Sequence, residues 1–272
     1  MLESAASTPD ARTIVITGSG GGIGRALSLA AADAGMRVYG LDVAEEAGIE
    51  TARLVAERGA QSRFFSCDIR SVEQLATTFA KIEKEAGAVD VLMNNAAFGS
   101  HTSPEEITFE EWNKVIGITL GGAVFTAQQA GRSMIRSGRG GAIVNITSIA
   151  GLAALGRGNY SYSIAKAGLV GMTRELAVEW ANYGIRVNAI APSQVDTQGF
   201  RPLVDNPDIA GGGILATAIA GIPLGRLAKA EDIVSVAMFL AGDGASFVTG
   251  VTIPVDGGSM ALHAGGSLRP SE

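Results

Sequence analysis

The chain has 272 residues, 47% of them hydrophobic and 18% charged, with a formal net charge of −6 at pH 7. That balance suits a well-buried globular core rather than disorder and gives no electrostatic reason to expect DNA or RNA as a partner; no apolar run reaches the roughly 18 residues of a membrane span. One cysteine, Cys67, excludes an intrachain disulfide and argues against a thiolate metal cluster.

The start, residues 1–12, is polar and lacks the basic and apolar segments of a signal peptide, so a soluble cytoplasmic protein is expected. Residues 13–17 are a buried strand, followed by a glycine loop and a helix through 34. A second strand covers 37–42, a helix 45–58 and a third strand 62–68. Residues 71–86 are predicted helical, with Ser71 as N-cap and Glu73 and Gln74 in the first turn. A fourth strand at 89–94 and a fifth at 141–147 flank residues 104–136, which hold a short helix and a long one. A helix over 160–182 leads into a strand at 185–190; a helix at 231–241 and a strand at 251–256 close the pattern. Near-continuous Val/Ile/Leu strands alternating with helices predict an α/β fold, a parallel sheet covered on both faces. No linker or internal repeat divides it, so a single domain over 1–272 is expected. Residues 193–227 interrupt the rhythm with glycines, three prolines and an Asp-Asn pair; a lid over the substrate is expected there, against the plainer reading of a surface loop.

Between the first strand and the first helix lies Thr17-Gly18-Ser19-Gly20-Gly21-Gly22-Ile23-Gly24, with G-x-x-x-G-x-G spacing. Glycines permit a tight turn and let a pyrophosphate approach the helix N-terminus, although a simple flexible turn has the same composition. Asp42 ends the second strand, where a carboxylate can bind both ribose hydroxyls and repel a 2′-phosphate. With no arginine or lysine at 19–23 or 43–46, NAD is expected over NADP, the alternative being a strand-end aspartate that makes a turn. Asp68 ends the third strand and is either a partner for the adenine amino group or a helix cap; Ile69 beside it is placed at the cofactor too.

Tyr162 and Lys166 are four residues apart, so on a helix they share a face, and a neighbouring ammonium favours phenolate over phenol. Ser148, upstream of both, can hold a substrate oxygen beside the phenol. Together these residues form a proton donor, the means of tuning it and a substrate anchor.

Taken in order, Thr17-Gly-x-x-x-Gly-Ile-Gly24, Asp68, Asn94-Asn-Ala-Ala97, Asn145-Ile-Thr-Ser148, Tyr162-x-x-x-Lys166, Arg186-Val-Asn-Ala-Ile-Ala-Pro192 and Pro254-Val-Asp-Gly-Gly258 resemble the short-chain dehydrogenase/reductase family over nearly the whole chain. The resemblance implies a single Rossmann-type, doubly wound parallel sheet of seven strands in the order 3-2-1-4-5-6-7, helices on both faces and a nicotinamide cofactor across the strand ends. It implies Tyr162 as general acid/base, Lys166 as the residue that lowers its pKa and binds the nicotinamide ribose, and Ser148 as the substrate-orienting hydroxyl. By the same resemblance Asn95 and Ala96 border the cofactor, Val195 and Thr197 contact its carboxamide and pyrophosphate, and the protein is a homotetramer or dimer built through two long helices. Three positions depart from the pattern: Thr119 stands where the family has an active-site asparagine, Ala97 where it has glycine, and Ser193 where it has glycine. Thr119 is read as a catalytic position whose hydroxyl carries the proton relay through water, or leaves it impaired, because it lacks an amide offering donor and acceptor together. Ser193 would be strained if its position needed positive φ.

For the substrate side, the loop from 194 to 224 carries Gln198, Arg201, Asp205, Asn206, Phe200, Leu203, Ile214 and Leu215, while His101, Arg157 and Asn159 follow the fourth and fifth strands. Arg157, Asn159, Gln198 and Arg201, with Ser148, are the candidate substrate residues, the arginines as anchors for an anionic group. The expected activity is NAD-dependent oxidation of a secondary alcohol of a sugar, polyol or hydroxy acid, that is, hydride exchange between an alcohol or ketone and the cofactor. Two alternatives are a 3-oxoacyl-thioester reductase and a catalytically silent NAD-binding scaffold. The tail at 260–272 reaches a neighbouring subunit or is disordered.

Overall fold

The computed structural model describes residues 11–100, 102–156, 158–197 and 219–262. Seven parallel strands form one sheet in the order β3-β2-β1-β4-β5-β6-β7. They are β1 Thr13–Thr17, β2 Arg37–Asp42, β3 Ser62–Ser66, β4 Val91–Asn94, β5 Gly141–Ile146, β6 Ile185–Pro192 and β7 Thr252–Val255. The central β1 and β4 are buried along their whole length, as continuous apolar strands covered on both faces must be, whereas the edge strands β3 and β7 are only partly buried.

The described helices are α1 Gly22–Asp33, α2 Glu45–Glu57, α3 Val72–Ala86, α4 Phe109–Ile116, α5 Ala123–Ser137, α6 Tyr160–Glu179 and α7 Ala230–Ala241. On one face Leu27 and Ala31 of α1, Val55 of α2 and Ile233 and Leu240 of α7 pack on Ile14, Ile16 and Val144. On the other, Leu75 and Phe79 of α3, Ala127 and Met134 of α5 and Ala177 of α6 cover Val15, Leu92 and Ile143. Ser71 caps α3 as expected, its hydroxyl accepting from the Gln74 N–H.

The region between β4 and β5 differs from the expectation. The short helix and the long one are one unbroken helical run, joined by a π-helical segment, Gly117–Gly122. Gly122 serves a close approach: a Cβ there would lie 2.5 Å from the Ile69 side chain. A π segment widens the helix by one residue per turn and is found most often at functional sites. Elsewhere the differences are at element ends. β6 runs to Pro192, β3 stops at Ser66, and α6 gives way after Glu179 to a 3-10 turn, Ala181–Tyr183, ended by left-handed Gly184.

The excursion after β6 is pinned at its base. Val195 bridges Ala228, the Asp196 N–H donates to the Ala228 carbonyl at 2.8 Å, and the Ala228 N–H returns to the Gln194 carbonyl at 3.0 Å. The expected lid residues Gln198, Phe200, Arg201, Leu203, Asp205, Asn206, Ile214 and Leu215 lie outside the described residues, as do His101, Arg157 and most of the two tails.

Candidate active site

The strand order reverses between β1 and β4, and the crevice at such a switch point is where open α/β sheets bind ligands. Two cavities open there. One, of about 540 Å³, is lined by Gly18, Asp42, Asp68, Ile69, Asn95 and Ala96. The other, of about 380 Å³, is lined by Ile23, Ser148, Asn159, Tyr162, Lys166, Val195 and Thr197. Asn95 and Ala97 line both, so the two form one continuous cleft.

The glycine loop is held by backbone fit. A Cβ on Gly24 would fall 1.9 Å from the Gly18 carbonyl oxygen, and one on Gly18, at φ +66°, would meet the Asn95 amide nitrogen at 2.9 Å. That Asn95 nitrogen donates to the carbonyls of Thr17 and Gly18, while the Thr17 hydroxyl accepts from the N–H groups of Asn95 and Ala96. The loop ends at α1, whose N-cap Gly21 offers no side-chain cap and whose first turn has no acidic residue. Its N–H groups and positive dipole end are thus left for an anion, with Thr197 beside Gly22. These residues fit a dinucleotide pyrophosphate.

Asp42 combines the two roles set against each other in sequence. Its carboxylate accepts from the N–H groups of Gly20 at 2.8 Å and Ala44 at 3.0 Å, bracing the loop while lining the larger cavity. Asp68 does not cap α3; its carboxylate pairs with Arg70 at 2.5 Å, which holds it below the usual carboxylate range. Arg25, the nearest cation after the loop, is committed to the Thr51 hydroxyl and the Gly20 carbonyl.

In the smaller cavity, Tyr162 and Lys166 share one face of α6, with the Lys166 nitrogen 5.4 Å from the centre of the phenol ring. α6 is seated on β5 by the Thr147 hydroxyl, which donates to the Lys166 carbonyl at 2.8 Å, and by Gly151, where a Cβ would meet the Lys166 backbone at 2.7 Å. Ser148 hydrogen-bonds the phenol and accepts from the Ala150 N–H at 3.1 Å. The trio is therefore brought together as expected, but its protonation is not as expected. Lys166 is only 2% exposed and donates to the Ile146 carbonyl at 2.6 Å; burial lowers its pKa to about 7. Burial also pushes the Tyr162 phenol up to about 12, with the Ser148 bond opposing that rise. Desolvation disfavours the charged form of both groups.

Thr119 has a partner that the sequence does not show. It is fully buried, and its hydroxyl accepts from the Phe98 N–H at 2.9 Å while donating to the Phe98 carbonyl at 3.0 Å. One hydroxyl thus supplies the donor and acceptor that seemed to need an amide. It clamps the loop after β4, which walls the cleft through Ala97, Gly99 and Ser100, onto the π segment. Ser193 carries no strain, since no described non-glycine residue has positive φ. Sequence reasoning also missed Ser100, Ile149 and Leu155 and passed over Gln194 as a site residue, all of which line the smaller cavity. Their position after the C-terminal ends of β4, β5 and β6 was the available signal.

Among the described residues no cluster of His, Cys, Asp and Glu could hold a metal, and no helix is long and apolar enough to cross a membrane. Comparison with known proteins places this geometry. The family described as "Enoyl-(Acyl carrier protein) reductase" matches residues 18–260. A cis-4-hydroxycyclohexanecarboxylate dehydrogenase of Sinomonas cyclohexanicum is 39% identical over 92% of this chain and 97% of its own. A D-threitol dehydrogenase of Mycolicibacterium smegmatis is 35% identical over 92% and 93%. A crystal structure from Agrobacterium tumefaciens with bound NADP superposes with a TM-score of 0.82, at 31% identity over 92% of this chain and 96% of that one.

Proposed function

The chain belongs to the short-chain dehydrogenase/reductase family, oxidoreductases acting on CH–OH groups with a nicotinamide cofactor, and from that premise we propose that it oxidises a secondary alcohol of a sugar, polyol or hydroxy acid with NAD, Tyr162 serving as general acid/base. The observation that carries this reading is the single cleft running from Asp42 to the Ser148, Tyr162 and Lys166 trio.

The bound nicotinamide supplies the hydride acceptor. Everything else falls to the chain. Gly18, Ser19, Gly20, Gly21, Gly22, Ile23 and Gly24 hold the pyrophosphate against the α1 N-terminus, with Val195 and Thr197 closing from β6. Asp42, Asp68, Ile69, Asn95 and Ala96 take the adenosine side. Ser148 aligns the substrate hydroxyl with the phenol, and Tyr162 takes its proton. A lysine poised near neutrality, 5.4 Å from the ring, gives the site its control: protonating Lys166 places a positive charge there and favours phenolate. The intact trio and the satisfied Thr119 clamp leave the silent-scaffold reading without a motive.

NAD is favoured over NADP because Asp42 sets a carboxylate where a 2′-phosphate would lie and Arg25 is already committed. The rival reading, 3-oxoacyl-thioester reduction with NADPH, is supported by the similarity to a 3-oxoacyl-[acyl-carrier-protein] reductase of Chlamydia trachomatis, 34% identical over 91% of this chain. We also place the protein in the cytoplasm as a homotetramer or dimer, a reading supported by Val124, Phe125 and Ile164, apolar side chains left exposed on α5 and α6. Titrating NAD and NADP by fluorescence and then screening secondary alcohols for NADH production tests the proposal. It expects turnover of polyols or hydroxy acids with NAD; reduction of a 3-oxoacyl thioester with NADPH alone would replace it with the rival.

A further inference from the structure

We propose that the substrate is a neutral polyol, its non-reacting hydroxyls read by Ser100, Asn159 and Gln194, with Glu111 as the positioning residue behind Ser100. This inference rests on the alcohol-oxidising reading and narrows its substrate class. Asn159 occupies the N-cap position of α6, where an asparagine normally turns its side chain back onto the helix; here it makes no such bond and lines the smaller cavity. Gln194, at the end of β6, lines the same cavity, and its amide, too, has no hydrogen-bond partner among the described residues. Each side-chain amide offers two donors and an acceptor, which match hydroxyls that donate and accept at once.

Ser100 supplies the selective element. It is buried, lines the cavity and donates its hydroxyl proton to Glu111. With that proton directed away and one lone pair taking the Thr102 N–H at 3.3 Å, the Ser100 oxygen has one lone pair left for a ligand, which an alcohol can satisfy and a carboxylate cannot. Glu111 sits three residues after the α4 N-cap Thr108, a position from which a glutamate commonly reaches back to the N-cap; instead it turns to Ser100 and to Thr102, at 2.6 Å. Those two hydrogen bonds hold its carboxyl below the usual range, so a fixed negative charge stands one bond behind the cavity wall. Among the described lining residues only Lys166 carries a compensating charge, and its nitrogen is bound to the Ile146 carbonyl. Among the described lining residues an anionic substrate therefore finds no cation besides Lys166, while a polyol meets three partners.

The test compares a tetritol, 3-hydroxybutyrate and 2-butanol as substrates of the full chain with NAD and with NADP. Wild type is expected to prefer the tetritol in kcat/KM by about tenfold or more over the acid, about the value of one hydrogen bond. Asn159→Leu and Gln194→Met, made separately so that one misfolded variant does not end the test, should each raise the tetritol KM about tenfold relative to that for 2-butanol. Glu111→Gln should narrow the polyol-to-acid ratio through the KM of the acid, with kcat for the tetritol moving less. A wild type that prefers the acid, or amide variants that shift tetritol and 2-butanol alike, overturns the inference while leaving alcohol oxidation standing. No turnover of any alcohol with either nucleotide overturns both.

Discussion

The two ends of the cleft are built by different means. On the nucleotide side, recognition is a property of the backbone: Gly24 lies against the Gly18 carbonyl, Asn95 ties that turn to β4, and an uncapped helix end faces the pyrophosphate. On the catalytic side it is a property of side chains whose charge states are set by burial, Lys166 downward and Tyr162 upward. A backbone site tolerates no added atom but little depends on charge. A side-chain site tolerates small changes of shape and depends on protonation.

Substitutions that strike one end and spare the other test that contrast. Gly24→Ala forces a Cβ to within 1.9 Å of a backbone oxygen that cannot rotate away, so it should cost about 3 kcal/mol or more of stability and abolish nucleotide binding, read by thermal melts and fluorescence titration. Thr119→Val keeps the shape but leaves the Phe98 N–H and carbonyl without their partner, a loss of about 1–3 kcal/mol with a larger fall in kcat than in nucleotide affinity. Unchanged kcat would show that the loop after β4 does not need its clamp.

Dependence on pH near neutrality should be confined to the catalytic end. Lys166 has a folded pKa of about 7 against 10.5 for the free side chain, so between those values the unfolded chain binds the extra proton. Stability should therefore rise with pH across that window, and Lys166→Met should flatten the rise in melting temperature between pH 7 and 9. A melting profile identical to wild type would show that this lysine is not desolvated. The smallest effect belongs to Asp42→Asn, which keeps an acceptor for the loop but removes the charge; the preference for NAD over NADP should fall by about tenfold.

How far the chain could be read in advance follows from the same contrast. The strand order was legible only through the family resemblance, whereas the glycine loop and the placing of Asp42 were legible because backbone geometry leaves marks at fixed spacing. The Tyr162 and Lys166 pair was legible as a neighbourhood, but not its protonation, since the desolvation of Lys166 depends on α6 being pressed onto β5 through Thr147 and Gly151. The π segment carries no mark in the sequence, because the close approach of Ile69 that Gly122 permits exists only in the fold. The role of Thr119 as a clamp was not legible because its partner, the Phe98 backbone, is brought to it only by the fold. Ser100 and Gln194 carry no motif; only their place at strand ends marks them.

The central claim is that Tyr162 moves the proton while the far end of the same cleft holds the nucleotide. Tyr162→Phe, assayed for NADH production from a tetritol alongside fluorescence titration of NADH binding, tests it most directly. Turnover should fall by about a thousandfold, within the range a positioned acid or base contributes, while nucleotide affinity stays within about twofold. Turnover that survives the substitution would contradict the account.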